Sequence, residues 1–197
     1  MKKIIIIGAG AMGSAFAVPC VDNKNDVTIV GTHLENDLIE KIKSNDQIHP
    51  ALKTKLSSEV KFEKFEKLQT ILDQDLDIIV CGVSSIGIEW FVQQISKKYK
   101  KGIPIILLTK GLSILDNELT TLSDKIRTLL SKDGHSEINI SAIKGPCLAA
   151  GLANKMRTGT IIANQKVKEA QLLKEIISTN YYSTEISEDI NGVELSG

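Results

Sequence analysis

Lys110 follows a nearly unbroken apolar run, Ile103 to Leu108, and precedes Gly111. An ammonium at such a place can hold a phosphate or polarise a carbonyl oxygen, and a lysine solvated in a loop is the competing reading. Cys147 follows Gly145-Pro146 and opens a helical pattern, a setting that can lower a thiol pKa. A packed, inert thiol is the preferred reading there, since most buried cysteines do no chemistry. The third feature is Gly8-Ala9-Gly10-Ala11-Met12-Gly13, preceded by Ile4-Ile5-Ile6-Ile7 and followed by a helical pattern from Ala11 to about Val21. Gly8 permits a tight turn, Gly10 lets the backbone approach a pyrophosphate, and Gly13 lets the helix pack closely on the strand. The N–H groups and positive end of that helix would hold phosphates. In this context the glycines read as a dinucleotide site, with a purely structural turn as the alternative.

These groups need elements to carry them. Ile4–Ile7, Asp26–Val30, Asp77–Val83, Ile103–Leu108 and Ile138–Ile143 are short β-branched, apolar runs that suit strands buried on both faces. Helical spacing separates them: Asp37 to Ser44, then Ile88, Phe91, Val92 and Ile95, then Leu119, Leu122, Ile126 and Leu129. Pro19 is expected to stop or kink the first helix. Val60–Phe62 reads as a weak edge strand and Phe65–Leu72 as a brief helix, with His49-Pro50 in an irregular stretch before them. Beyond Pro146 come a short helix, a strand at Thr160–Ala163, a helix at Val167–Ser178 and a short strand near Tyr181–Ser183. The alternation predicts an α/β, doubly wound parallel sheet with additional C-terminal strands. In such sheets ligands bind beyond the carboxyl ends of the strands, which selects Ser84-Ser85, Thr109-Lys110-Gly111 and Gly145-Pro146-Cys147 besides the glycine turn.

A dinucleotide site of the usual kind also has an acid at the end of the second strand for the ribose hydroxyls. Gly31-Thr32-His33 stands there instead; Glu35 and Asp37 come a few residues late, so NAD and NADP are not distinguished. His33, His49 and His135 share no spacing and read as surface histidines, and Trp90 reads as core. Cys20, Cys81 and Cys147 are too scattered for a metal knuckle or a disulfide framework, and a reducing cytoplasm is the expected setting. Lys plus Arg and Asp plus Glu each total 24, so no global field draws in nucleic acid or an anionic membrane.

Gly8-Ala9-Gly10-Ala11-Met12-Gly13, Thr109-Lys110-Gly111, Gly145-Pro146-Cys147-Leu148-Ala149 and Gly192-Val193-Glu194-Leu195-Ser196-Gly197 resemble, in order and spacing, the signature blocks of NAD(P)-dependent glycerol-3-phosphate dehydrogenase. The resemblance implies a Rossmann-type domain over residues 1–188, with 189–197 opening a helical substrate domain. It implies NAD or NADP as cofactor and a phosphorylated small-molecule substrate, interconverted between dihydroxyacetone phosphate and sn-glycerol 3-phosphate. Cofactor contacts would fall at Ala11, Met12, Thr32 and Ala149; Lys110 would touch both substrate and cofactor, with Gly145 and Cys147 near the substrate. A homodimer is compatible with it.

The chain departs from that pattern at several points. Val83-Ser84 stands where the family has Val-Pro, Cys147 where it has Ser or Thr, and Gly151 where it has Glu. The family's catalytic lysine lies in an Ala-Leu-Lys-Asn segment directly after the Gly-Val-Glu-Leu block, and the chain ends before it. The expectation is a fragment that binds nucleotide but turns over slowly or not at all. The competing expectation is a stand-alone nucleotide-binding or redox-sensing module with Cys147 as its responsive thiol.

Overall fold

The computed structural model describes residues 1–197. In chain order the elements are β1 (Lys3–Ile7), α1 (Ala11–Asp22), β2 (Asp26–Val30), α2 (Asn36–Ser44), β3 (Ile48–His49), β4 (Thr54–Lys55), β5 (Lys61–Glu63), α3 (Leu68–Leu72), β6 (Ile78–Cys81), α4 (Ile88–Ser96) and β7 (Ile105–Leu107). Then follow β8 (Leu112–Leu115), β9 (Glu118–Thr121), α5 (Leu122–Lys132), β10 (Ile140–Lys144), α6 (Ala149–Ala153), β11 (Thr158–Ala163), α7 (Val167–Ile177), β12 (Tyr182–Ser187) and α8 (Ile190–Ser196). Eight strands form one Rossmann-type sheet in the order β12-β11-β10-β7-β6-β1-β2-β5.

The four isoleucines of β1 show why both faces of this sheet are covered. Successive side chains point to opposite faces. Ile4 and Ile6 enter the core shared with α1, α2, α6 and α7, whereas Ile5 and Ile7 enter the one shared with α3, α4, α5 and α8. The register then sets the carboxyl ends of the central strands level. Ile7 pairs with both Val30 and Cys81, Cys81 with Leu107, and Leu107 with Ala142. The chain runs from β1 outward to β2 on one side and later returns to β6 on the other, so the crevice between β1 and β6 is the topological switch point.

The sheet is not parallel throughout. β11 runs antiparallel to β10, and β12 is parallel to β11. The segment after β10 places its one short helix, α6, against α1 and turns straight into β11, so no crossover restores the direction. Two hairpins also depart from expectation. Leu119 lies on β9, 72% exposed, rather than on the following helix, which begins at Leu122 with Thr121 capping it. Leu119 fits the helical spacing by coincidence, and the left-handed turn at Asp116-Asn117 closes the β8–β9 hairpin instead. β3 and β4 pair where an irregular stretch was expected, and α1 continues through Pro19 to Asp22. No helix is long and apolar enough to cross a membrane.

Candidate functional site

The glycine turn is held by contacts only glycine allows. Gly8 has φ +111°, and a Cβ there would lie 2.7 Å from the Gly82 carbonyl. A Cβ on Gly13 would lie 2.4 Å from the Gly8 oxygen, so α1 starts directly against the end of β1. Gly10 differs: a Cβ would meet nothing nearer than Glu35 Oε1 at 3.9 Å. No contact within the protein requires glycine at that position. Gly10 is the N-cap of α1 and offers no side-chain cap, so the backbone N–H groups of the first turn have no capping side chain. That is the cradle a pyrophosphate needs, and the residues present fit one.

Two residues outside the motif fix the turn. Glu35 folds back so that its Oε2 accepts hydrogen bonds from Ala9 N at 3.0 Å and Thr32 N at 2.8 Å. The acid that linear spacing put too far along the chain is thereby brought to the end of β2, beside Gly10, with Oε1 uncommitted. Spacing alone missed it because the loop from Thr32 to Glu35 closes on itself, Glu35 N donating to Thr32 O at 2.9 Å. His49 is the second residue. It is 1% exposed, not a surface group: its Nδ1 accepts from Ala51 N and Leu52 N, and its Nε2 donates to Ala9 O at 3.0 Å. Ser14 Oγ donates to the same oxygen at 3.0 Å. No local signal in Ile48-His49-Pro50 announces this contact, which spans forty residues of chain.

The other expected residues gather at the far side of Met12. A cleft of about 350 Å³ at the switch point is lined by Met12, Val83, Ser84, Ser85, Thr109 and Lys110. Beyond it a narrow pocket adds Gly145, Cys147, Thr160 and Tyr182, with Met12 and Lys110 again on its wall. Lys110 is exposed, and its Nζ donates to Gly145 O at 3.2 Å. Thr109 Oγ1 donates to Val83 O at 2.7 Å, tying the β7 end to the β6 end. Gly145 has φ +151° and its missing Cβ would press on Thr160 Cα at 3.0 Å. Ala11, Met12 and Ala149 each pack, half-buried, against the core that α1 covers. Thr32 lies at the opposite end of the crevice with Glu35.

Cys147 is 9% exposed, and burial pushes its thiol above the usual range, against the lowering effects of Thr158 and Lys110. That opposes the thiolate a redox sensor needs. Trp90 is half-buried and packs against the core, its ring tilted against those of His33 at 5.3 Å and Phe65 at 5.7 Å. Two further charged residues were not singled out from sequence. Lys144 is 3% exposed and donates to Thr109 O; Glu194 is 2% exposed and accepts from Leu122 N at 3.1 Å, Ser123 N and Ser123 Oγ, capping α5 from α8. Two hollows away from this crevice have lysines already paired with acids, Lys61 with Asp26 in one, Lys55 with Asp46 and Lys155 with Asp22 in the other. No cluster of His, Cys, Asp or Glu is arranged to hold a metal.

The family described as NAD-dependent glycerol-3-phosphate dehydrogenase N-terminus matches residues 3–170. The chain belongs to this family. Among curated glycerol-3-phosphate dehydrogenases, the NADP(+)-dependent enzyme of Archaeoglobus fulgidus is 34% identical over 98% of the chain and 56% of its own length. The NAD(P)+ enzyme of Mesoplasma florum is 30% identical over 99% of the chain and 56% of its own length. The chain thus spans about half the length of the curated relatives it matches. The glycerol-3-phosphate dehydrogenase structure from Coxiella burnetii superposes over the whole chain and 57% of its own, with a TM-score of 0.81 at 19% identity, a likeness of fold.

Proposed function

We propose that this chain is the dinucleotide-binding part of an enzyme that reduces dihydroxyacetone phosphate to sn-glycerol 3-phosphate with NADH or NADPH, supplying a phospholipid precursor. The observation that carries the reading is the line of groups along one crevice: an uncapped helix start at Gly10, an acid at Glu35, the Met12 wall, and Lys110 against Gly145. Family membership and the names of the relatives support the same assignment. Residues 1–188 would form the nucleotide domain and 189–197 lead into the substrate domain. Three free, buried cysteines are consistent with a reducing cytoplasm.

The nicotinamide, when bound, supplies the hydride for the ketone carbon. The chain's own residues would do the rest. The Gly10–Gly13 backbone holds the pyrophosphate, and Glu35 Oε1 accepts from a ribose hydroxyl. Met12 and the β6 end would line the part of the crevice that receives the reactive ring. Lys110 supplies positive charge where the substrate carries phosphate or develops negative oxygen.

Oxidation of NADH and NADPH by the chain expressed to its natural stop codon tests this reading. Absorbance loss that requires dihydroxyacetone phosphate supports it and ranks the two nucleotides. Cofactor binding without ketone-dependent turnover removes the dehydrogenase assignment and favours a nucleotide-binding module.

A further inference from the structure

Lys110 stands in a stretch of chain with little hold of its own. Neither Lys110 nor Gly111 makes a backbone hydrogen bond to another backbone group, and Gly111, at φ +105°, has nothing within 4 Å of where a Cβ would lie. The place of Lys110 is therefore set by what holds its flanks. On one side Thr109 Oγ1 donates to Val83 O at 2.7 Å. On the other the chain enters the β8–β9 hairpin, where Ile114 and Leu119 stand opposite each other, 64% and 72% exposed. That face of the hairpin has no core to rest on. A two-stranded hairpin is marginal by itself, so this one needs a pin.

Lys125, on α5, supplies one. It is 5% exposed, and its ammonium has a partner for each of its three donors. Nζ donates to Ser113 Oγ at 2.9 Å and to Ile114 O at 3.1 Å, and it pairs with Glu89 Oε1 at 2.6 Å. Ser113 follows Lys110 by three residues, and Glu89, in the first turn of α4, follows Ser85 by four. One buried cation thus ties together the two elements that leave the Ser84-Ser85 and Thr109-Lys110 loops. Those loops are two walls of the 350 Å³ cleft, which Lys125 itself does not line. Burying an ammonium is costly, and an apolar side chain would fill the space without that cost, so the charge answers a demand for fixed geometry. We propose that Lys125 is a positioning residue for Lys110. Through Ser113 and Glu89 it fixes the gap between the cleft walls, and with it the point at which the Lys110 ammonium meets the substrate. The proposal rests on the dehydrogenase reading.

The test uses Lys125→Met and Ser113→Ala in the chain expressed to its natural stop codon. Ser113→Ala removes one bond of the pin and keeps the buried pair with Glu89, so it decides if Lys125→Met does not fold. With ¹³Cε-labelled lysine, the resonance missing from Lys110→Met is that of Lys110. Its Nζ rests against Gly145 O in the free protein, so a displaced loop should move that resonance in both variants. In Lys125→Met, kcat/KM for dihydroxyacetone phosphate is expected to fall about tenfold or more, since a group misplaced by about 1 Å can cost about 100-fold, while the NADH Kd stays within about threefold. A lysine that only stabilised the fold would lower the urea midpoint and leave both readings of the folded protein alone. A Lys110 resonance that stays in place in the variants that fold, or a kcat/KM within about threefold of the parent in Lys125→Met, overturns the proposal. If the parent shows no ketone-dependent oxidation at any pH, the dehydrogenase reading has failed on its own. A moved Lys110 resonance then still shows Lys125 setting its place, and an unmoved one removes the pin.

Discussion

The imidazole of His49 reaches across from the β3–β4 hairpin to put Nε2 3.0 Å from the carbonyl oxygen of Ala9, inside the glycine turn. Because Nδ1 accepts from two backbone N–H groups, the ring is locked in the tautomer that donates to Ala9. Replacing His49 by Ala leaves the N–H groups of Ala51 and Leu52 without their acceptor and Ala9 O with Ser14 Oγ alone. A loss of about 1–3 kcal/mol in urea unfolding is expected, with weaker NADH binding in a fluorescence titration. Unchanged stability would mean the turn holds itself.

The glycines of the turn should separate under mutation. A Cβ on Gly13 collides with the Gly8 oxygen at 2.4 Å, forcing β1 and α1 apart, so Gly13→Ala should lose about 2 kcal/mol or more of stability. Gly10→Ala meets only open space in the protein, so its unfolding midpoint should not move while NADH affinity drops by about tenfold or more. Equal losses of stability in the two variants would show Gly10 to be structural.

The contrast between Gly10 and His49 shows what the sequence can disclose. Gly8, Gly10 and Gly13 are legible because strand, turn and helix lie within one short stretch, in which Gly13 presses on the Gly8 oxygen and Gly10 is left open. The order and burial of β1, β2, β6, β7 and β10 are legible for a similar reason, since alternate residues such as Ile4 and Ile5 must fill two separate cores. Lys110 and Gly145 are legible as strand-end residues, and the structure joins them by a hydrogen bond. His49, Lys144 and Glu194 are not legible, because their roles depend on partners forty, thirty-five and seventy-one or more residues away. The reversal of β11 is hidden too, since direction depends on where α6 packs rather than on any residue in the strand.

On the proposed reading, Glu35 should decide which nucleotide fits. Its carboxylate stands beside Gly10 with Oε1 free, where it would accept from a ribose hydroxyl and repel a 2′-phosphate. In Glu35→Gln the amide removes the repulsion, and its oxygen can still accept from Ala9 N or Thr32 N. The ratio of NADPH to NADH affinity should rise about tenfold, measured by paired titrations of each nucleotide. A ratio that stays constant would remove Glu35 from nucleotide choice.

The three thiols should be slow. Cys20, Cys81 and Cys147 are buried, and burial raises each thiol, Cys81 to about 12. Little thiolate is then present at pH 7.5, and access is closed as well. Titration with an aromatic disulfide should release colour far more slowly than from glutathione, and promptly once urea is added. A fast single thiol in the native protein, lost in Cys147→Ser, would revive the redox-sensing reading.

Lys144 makes stability depend on pH in a predictable direction. Burial lowers its folded pKa to about 8, with Glu194 and Cys81 opposing and Lys110 adding to the shift, against an unperturbed 10.5 in the unfolded chain. Between those values the unfolded chain holds more protons than the folded one, so stability must climb as pH rises through the window. The charged form opposes folding most strongly below 8, and that opposition fades towards 10.5. Between pH 7.5 and 9.5 the gain should be about 2 kcal/mol, since each unit of displacement is worth about 1.4 kcal/mol. Cysteine ionisation in the unfolded chain acts in the opposite sense above pH 9, so the comparison is made against Lys144→Met, which shares the cysteines. Urea unfolding of both proteins at the two pH values isolates the lysine. The difference between parent and variant should move by that amount in favour of the parent, and a difference that does not change with pH would mean that Lys144 keeps an ordinary affinity for its proton.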